Sequence, residues 1–179
     1  MREKLPESIR EKIPARDELS QRQEKLLETN VFLAKMLAVG AIFHGILYIY
    51  PNTVPVQAVF SDFIAGLMNF FGYSFSSPSV YIVQGATAYE ITQDCLGWKS
   101  MMAFTALMYA SPGKLSEHLK YLFAGLGVIV LANIVRVVTT IHLTELGIIS
   151  FEIIHGFLWK WSLTAVVLVV WIYWFRKHQ

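Results

Sequence analysis

Residues 31–50 read VFLAKMLAVGAIFHGILYIY, a run whose one Lys, Arg, Asp or Glu is Lys35. As an α-helix it reaches about 30 Å, one hydrocarbon thickness of a bilayer. Pro51 and Pro55 close it. Three further apolar stretches follow. Residues 101–111, with the lead-in CLGWKS, make a second candidate span ending at Ser111-Pro112-Gly113. Residues 119–138, LKYLFAGLGVIVLANIVRVV, make a third. Residues 154–175, IHGFLWKWSLTAVVLVVWIYWF, make a fourth, stopped by Arg176, Lys177 and His178.

Composition agrees with this reading. Of 179 residues, 55% are hydrophobic and 16% charged, against about 25% charged in an ordinary globular domain. A soluble domain of this size would leave much apolar surface in water. The net charge of +2 is too small for the basic footprint of a nucleic-acid binder. One cysteine, Cys95, excludes an internal disulfide and a multi-cysteine metal site. No cofactor and no metal are expected.

Topology follows from the charges. Residues 1–29 hold seven basic and seven acidic residues, a balanced arm too charged for a signal peptide. The 112–120 connection carries Lys114 and Lys120, and the C-terminus carries Arg176 and Lys177. Residues 51–94 and 139–153 contain no Lys or Arg. By the positive-inside rule all basic loops share the cytoplasmic side if four helices cross, with both termini cytoplasmic. In the outward loop, Val59, Phe63, Leu67 and Phe70 fit the stripe of an interfacial or re-entrant helix over 55–72. Residues 79–92 predict two short strands around Gly85. The expected fold is an all-α polytopic membrane protein: about four transmembrane helices, an outward interfacial helix and a short β-hairpin. Residues 1–29 form the cytoplasmic or interfacial arm, and residues 30–179 a single membrane-embedded catalytic domain.

This topology puts three chemical groups at one depth. Cys95 opens the second helix at the outer boundary. Arg136 stands about 25 Å up the third helix. His155 opens the descending fourth. Singly each has an ordinary use: a small buried thiol, a snorkelling arginine, a hydrogen-bonding interfacial histidine. Together they supply a nucleophile, an oxyanion donor and a proton shuttle for acyl transfer. A thiol at a helix N-terminus near Arg136 or a protonated His155 is expected to have a lowered pKa. Asn133 shares the Arg136 face and could position it or the substrate. Lys99, one turn below Cys95, could contact substrate or pair with Asp94 or Glu90. His44 could join the site, although packing suits it better, and His142 in the outward loop is an alternative to His155. Lys160 has no clear role, and His118 and His178 fall on the cytoplasmic side.

These residues resemble the exosortase/archaeosortase family. The resemblance rests on Asp94-Cys95-Leu96-Gly97 followed by Lys99-Ser100, on Asn133-x-x-Arg136, and on His155-Gly156. It covers roughly residues 80–160. It implies a membrane cysteine transpeptidase with catalytic Cys95, Arg136 and His155. Asn133, Lys99 and Asp94 are the substrate-binding candidates. The implied partners are exported proteins bearing a C-terminal motif, a transmembrane helix and a basic cluster. A membrane lipid is a possible acceptor. The chain departs from the family in size, with one clear span ahead of the core, and in Leu96, where a small residue is often found. A non-enzymatic reading competes: a membrane subunit such as a small-molecule uptake component. An unreactive Cys95 with a co-purifying ligand would favour it. An outward thiol alkylated below pH 7 would favour the enzyme.

Overall fold

The computed structural model describes residues 21–111, 115–148 and 151–177, with the backbone alone for 21–22, 115–117 and 151–160. Helix α1 spans Gln21–Ile49. Helix α2, Val54–Phe70, starts with proline in its first turn, where the missing N–H costs nothing. Strands β1, Tyr81–Gln84, and β2, Thr87–Glu90, pair antiparallel, with Tyr81 opposite Glu90 and Gln84 opposite Thr87. A single 3-10 turn, Gln93–Leu96, precedes helix α3, Trp98–Ala110. Helices α4, Leu115–Glu145, and α5, Phe151–Lys177, complete the chain.

The helix expected within 55–72 and the hairpin expected within 79–92 are both present. Among the described residues, Gln23–Ile49 and His118–Glu145 are long and apolar enough to cross a membrane. The second predicted span is shorter than expected. The 13 residues of α3 reach about 20 Å, less than a hydrocarbon thickness. The cause is Gly97, whose φ of 73° lies in the left-handed region and breaks the chain between turn and helix.

Two apolar clusters organise the packing. One lies among α3, α4 and α5, around Phe104, Met108, Ile129, Val167 and Trp174. Here α3 and α4 come so close that a Cβ on Gly125 would sit 2.3 Å from Phe104 Cζ. The other joins α2, the hairpin and the 3-10 turn to the C-terminal third of α4, with Ile64, Met68, Ile82, Tyr89 and Val137 at its centre. Helix α1 packs against α3 through Phe43, which stacks on Trp98 at 5.7 Å. His44 meets the same indole edge-on, a packing role.

The apolar stripe of α2 faces away from the rest of the fold. Val59, Phe63 and Phe70 face outward, while Gln57, Ser61, Ile64, Ala65 and Met68 are buried. The polar pair is drawn inward by backbone acceptors. Gln57 Nε2 donates to the Ile91 carbonyl at 3.0 Å and Ser61 Oγ to that of Tyr81 at 3.0 Å. An apolar face turned outward suits lipid better than water.

Candidate active site

Cys95 lies within the 3-10 turn, not at the start of α3. Its placement is fixed by backbone bookkeeping. Thr92 caps the turn, its carbonyl accepting the Cys95 N–H at 3.0 Å. Gly97 closes the turn, its N–H donating to the Asp94 carbonyl at 3.5 Å. The carbonyl of Cys95 is claimed from across the fold: Asn133 Nδ2 donates to it at 2.8 Å. Gly97 permits this bond twice over. It supplies the positive φ, and a Cβ there would stand 3.0 Å from Asn133 Cγ.

Asn133 and Arg136 lie on the buried stripe of α4, in sequence with Ile129, Val137 and Thr140. Three residues apart, they share a face. Asn133 is 2% exposed and Arg136 5%. Asn133 Oδ1 has no hydrogen-bond partner among the described residues. The Arg136 guanidinium acts electrostatically on Cys95, favouring the thiolate. It also lines a groove of about 180 Å³ between α4 and α5, with Thr139 and Ser162 supplying hydroxyls and Ala132 a small wall.

The thiol itself is 3% exposed. It faces a space of about 20 Å³ shared with Tyr89, Glu90 and Thr140. Burial pushes its pKa up from the ordinary thiol value, against the pull of Thr92 and of Arg136. The expectation of a lowered pKa is therefore corrected for this state: desolvation outweighs the nearby cation, and the α3 N-terminus is set off by Gly97. Burial of Cys95 also limits the access of an alkylating reagent.

Asp94 and Lys99 pair with each other, Nζ to Oδ1 at 2.7 Å, on the exposed side of the turn. His142 stands in the last turn of α4 instead of a loop, its Nδ1 2.5 Å from the Tyr73 hydroxyl. Tyr89 donates to Glu145 Oε1 at 2.7 Å; burial and this carboxylate hold the phenol well above its usual pKa. His118 is buried against Trp174 at the far end of α4. His155 falls in the first turns of α5, and its side chain lies outside the described residues, as do Lys114, the Lys160 side chain, His178 and residues 1–20 of the arm.

Two stretches 38 residues apart, Asp94-Cys95-Leu96-Gly97 and Asn133-x-x-Arg136, are thus joined by a direct hydrogen bond. A family model described as transmembrane exosortase matches residues 24–173. The chain belongs to the transmembrane exosortase family. No curated protein and no solved structure matches it. The family match contains Cys95, Asn133, Arg136 and His155, and with the apolar helices it marks a membrane protein.

Within this exosortase, sequence reading passed over three contributors. Thr92 Oγ1 is 3.3 Å from Cys95 Sγ; a threonine three residues ahead of the cysteine is a capping signal. Gly97 was read only as part of a motif. Gln57, a lone amide in the apolar run PVQAVF, holds the carbonyl one residue before Thr92.

Proposed function

We propose that the protein is a membrane cysteine peptidase and transpeptidase that removes the C-terminal sorting signal of exported proteins at the extracytoplasmic face. The observation that carries this reading is the Asn133–Cys95 hydrogen bond, which draws the single thiol to the buried Arg136 end of α4. Family membership supports the reaction class. In the proposed topology four segments cross the bilayer and both termini are cytoplasmic.

His155 takes the Cys95 proton, and the sulfur attacks the scissile carbonyl carbon. The new C–S bond leaves an oxyanion, which Arg136 stabilises in a low-dielectric setting where a fixed cation counts most. The C–N bond breaks as His155 returns the proton to the leaving amine. An amine acceptor, such as a lipid head group, or water then attacks the thioester and gives its proton to His155; the C–S bond breaks, the product leaves, and His155 returns the proton to the Cys95 sulfur. Asn133 Oδ1 is available to a substrate N–H, and the groove beside Arg136 gives lateral access from the bilayer. His155 stands seven residues, about two turns, before the groove residue Ser162 on α5. Asp94 and Lys99 border the entrance as a charged pair.

Cys95→Ala is expected to abolish removal of the C-terminal helix from exported substrates, scored by their electrophoretic mobility in membranes. Mass spectrometry of the wild-type protein is expected to find an acyl group on Cys95. Unchanged processing by the variant would sink the reading.

A further inference from the structure

A thiol that is 97% buried in a space of about 20 Å³ cannot rely on water to stabilise its anion. It needs fixed donors. Arg136 is one, at the electrostatic range already described. A polar group in contact with the sulfur is the Thr92 hydroxyl at 3.3 Å, in a geometry where either atom can donate. At rest S–H can point at Oγ1. Once the proton leaves, the hydroxyl can rotate and donate to sulfur without any heavy atom moving.

The hydroxyl is also held in place before the reaction. The Thr92 carbonyl accepts the Cys95 N–H, so Oγ1 and Sγ are carried on one hydrogen-bonded turn. The preceding carbonyl, Ile91, is gripped by Gln57 Nε2 from α2, itself buried. Residue 92 is thus fixed on both sides. This chain of contacts runs from an outward-lying helix, through Ile91 and Thr92, to the sulfur.

We propose that Thr92, braced by Gln57, is a positioning residue for the Cys95 nucleophile, its hydroxyl donating to the sulfur when the thiolate forms. The proposal rests on Cys95 being the nucleophile of the reaction proposed above. A hydroxyl donor to a buried anion favours the charged form, and preset orientation avoids reorganisation during attack. Among the described residues, the other titratable groups about the sulfur are Arg136 on α4, Asp94 on the same turn, and Tyr89 and Glu90 on β2; the substitutions below leave all four, and His155, in place.

Because Cys95 is the sole cysteine, alkylation reads it directly in the full-length protein in detergent, using iodoacetamide and mass detection across a pH series. The limiting rate at high pH reports access, and the midpoint reports ionisation. Thr92→Val, which keeps the shape and removes the hydroxyl, is expected to raise the midpoint by about one pH unit. Thr92→Ser, which restores the donor, is expected to keep the wild-type midpoint. Thr92→Ala gives the same reading as Thr92→Val should the latter not fold. An unchanged midpoint in the hydroxyl-free variants overturns the proposal, as does a Thr92→Ser midpoint shifted as far as theirs. The readout requires no substrate. Normal processing by Cys95→Ala would therefore end the peptidase reading while leaving the measured Thr92 effect intact.

Discussion

The two apolar clusters are held by different physics. In the bundle of α3, α4 and α5 the contact is one of shape: Gly125 leaves the space that Phe104 fills. In the outer region of α2, hairpin and 3-10 turn, named side chains reach backbone carbonyls. Gln57 takes that of Ile91, Ser61 that of Tyr81, and Asn69 bonds Phe75 through both N–H and carbonyl. Helices satisfy their own backbones, so their packing can be purely apolar. A short hairpin and an isolated turn cannot, and must borrow donors from neighbours. The proposed nucleophile, Cys95, sits in the borrowed part, and Arg136 on the self-sufficient part. The candidate site is the seam between them.

The largest test of this contrast strikes the bundle. Gly125→Ala places a methyl on the Phe104 ring, an overpacking expected to cost roughly 1–3 kcal/mol. The melting temperature in detergent should fall, and Phe104→Leu should restore part of it. An unmoved melting point would mean that shape does not govern the α3–α4 crossing.

A more local effect, smaller in global melting, is expected in the outer region. Gln57→Leu leaves the buried Ile91 carbonyl without its donor, a cost of about 1–3 kcal/mol confined to the turn. The limiting alkylation rate of Cys95 should rise several-fold while global melting moves less than in Gly125→Ala. The opposite ranking would erase the distinction between the two regions.

The smallest expected effect concerns alkali. Cys95 and Tyr89, both raised above their ordinary values of 9.0 and 10.0, both belong to the outer region. The native state keeps protons that the unfolded chain releases there. Stability from this source is therefore whole below pH 9.0 and is lost as pH rises beyond it. Protease nicking within residues 71–92 should increase in mild alkali before the bundle loosens, and less so in Tyr89→Phe. Simultaneous loosening of both regions would count against the assignment.

Much of this was legible in the chain. The apolar runs gave α1 and α4, Gly85 gave the hairpin turn, and helical spacing put Asn133 and Arg136 on one face. The packing of α2 was not legible because periodicity reports which side is apolar, not which partners the other side meets. In a bilayer an apolar stripe can look outward while Gln57 and Ser61 find carbonyl partners within. The state of Cys95 was misread for a related reason. Sequence shows a helix start and an arginine, both favouring the anion, but the hairpin that covers the sulfur is a tertiary fact. Thr92 and Gln57 escaped notice because their value depends on contacts with backbone atoms, which no residue pattern displays.

The segment from Thr92 to Gly97 carries one last consequence. The carbonyls of Thr92, Asp94 and Cys95 are each engaged, by the Cys95 N–H, the Gly97 N–H and Asn133 respectively, and that of Gly97 receives Ser100 and Met101. Every one of these bonds counts residues. An added or deleted position between Thr92 and Gly97 would shift the cap, the sulfur and the left-handed glycine out of phase together. This stretch can tolerate changes of side chain at Gln93 or Leu96 far better than any change of length.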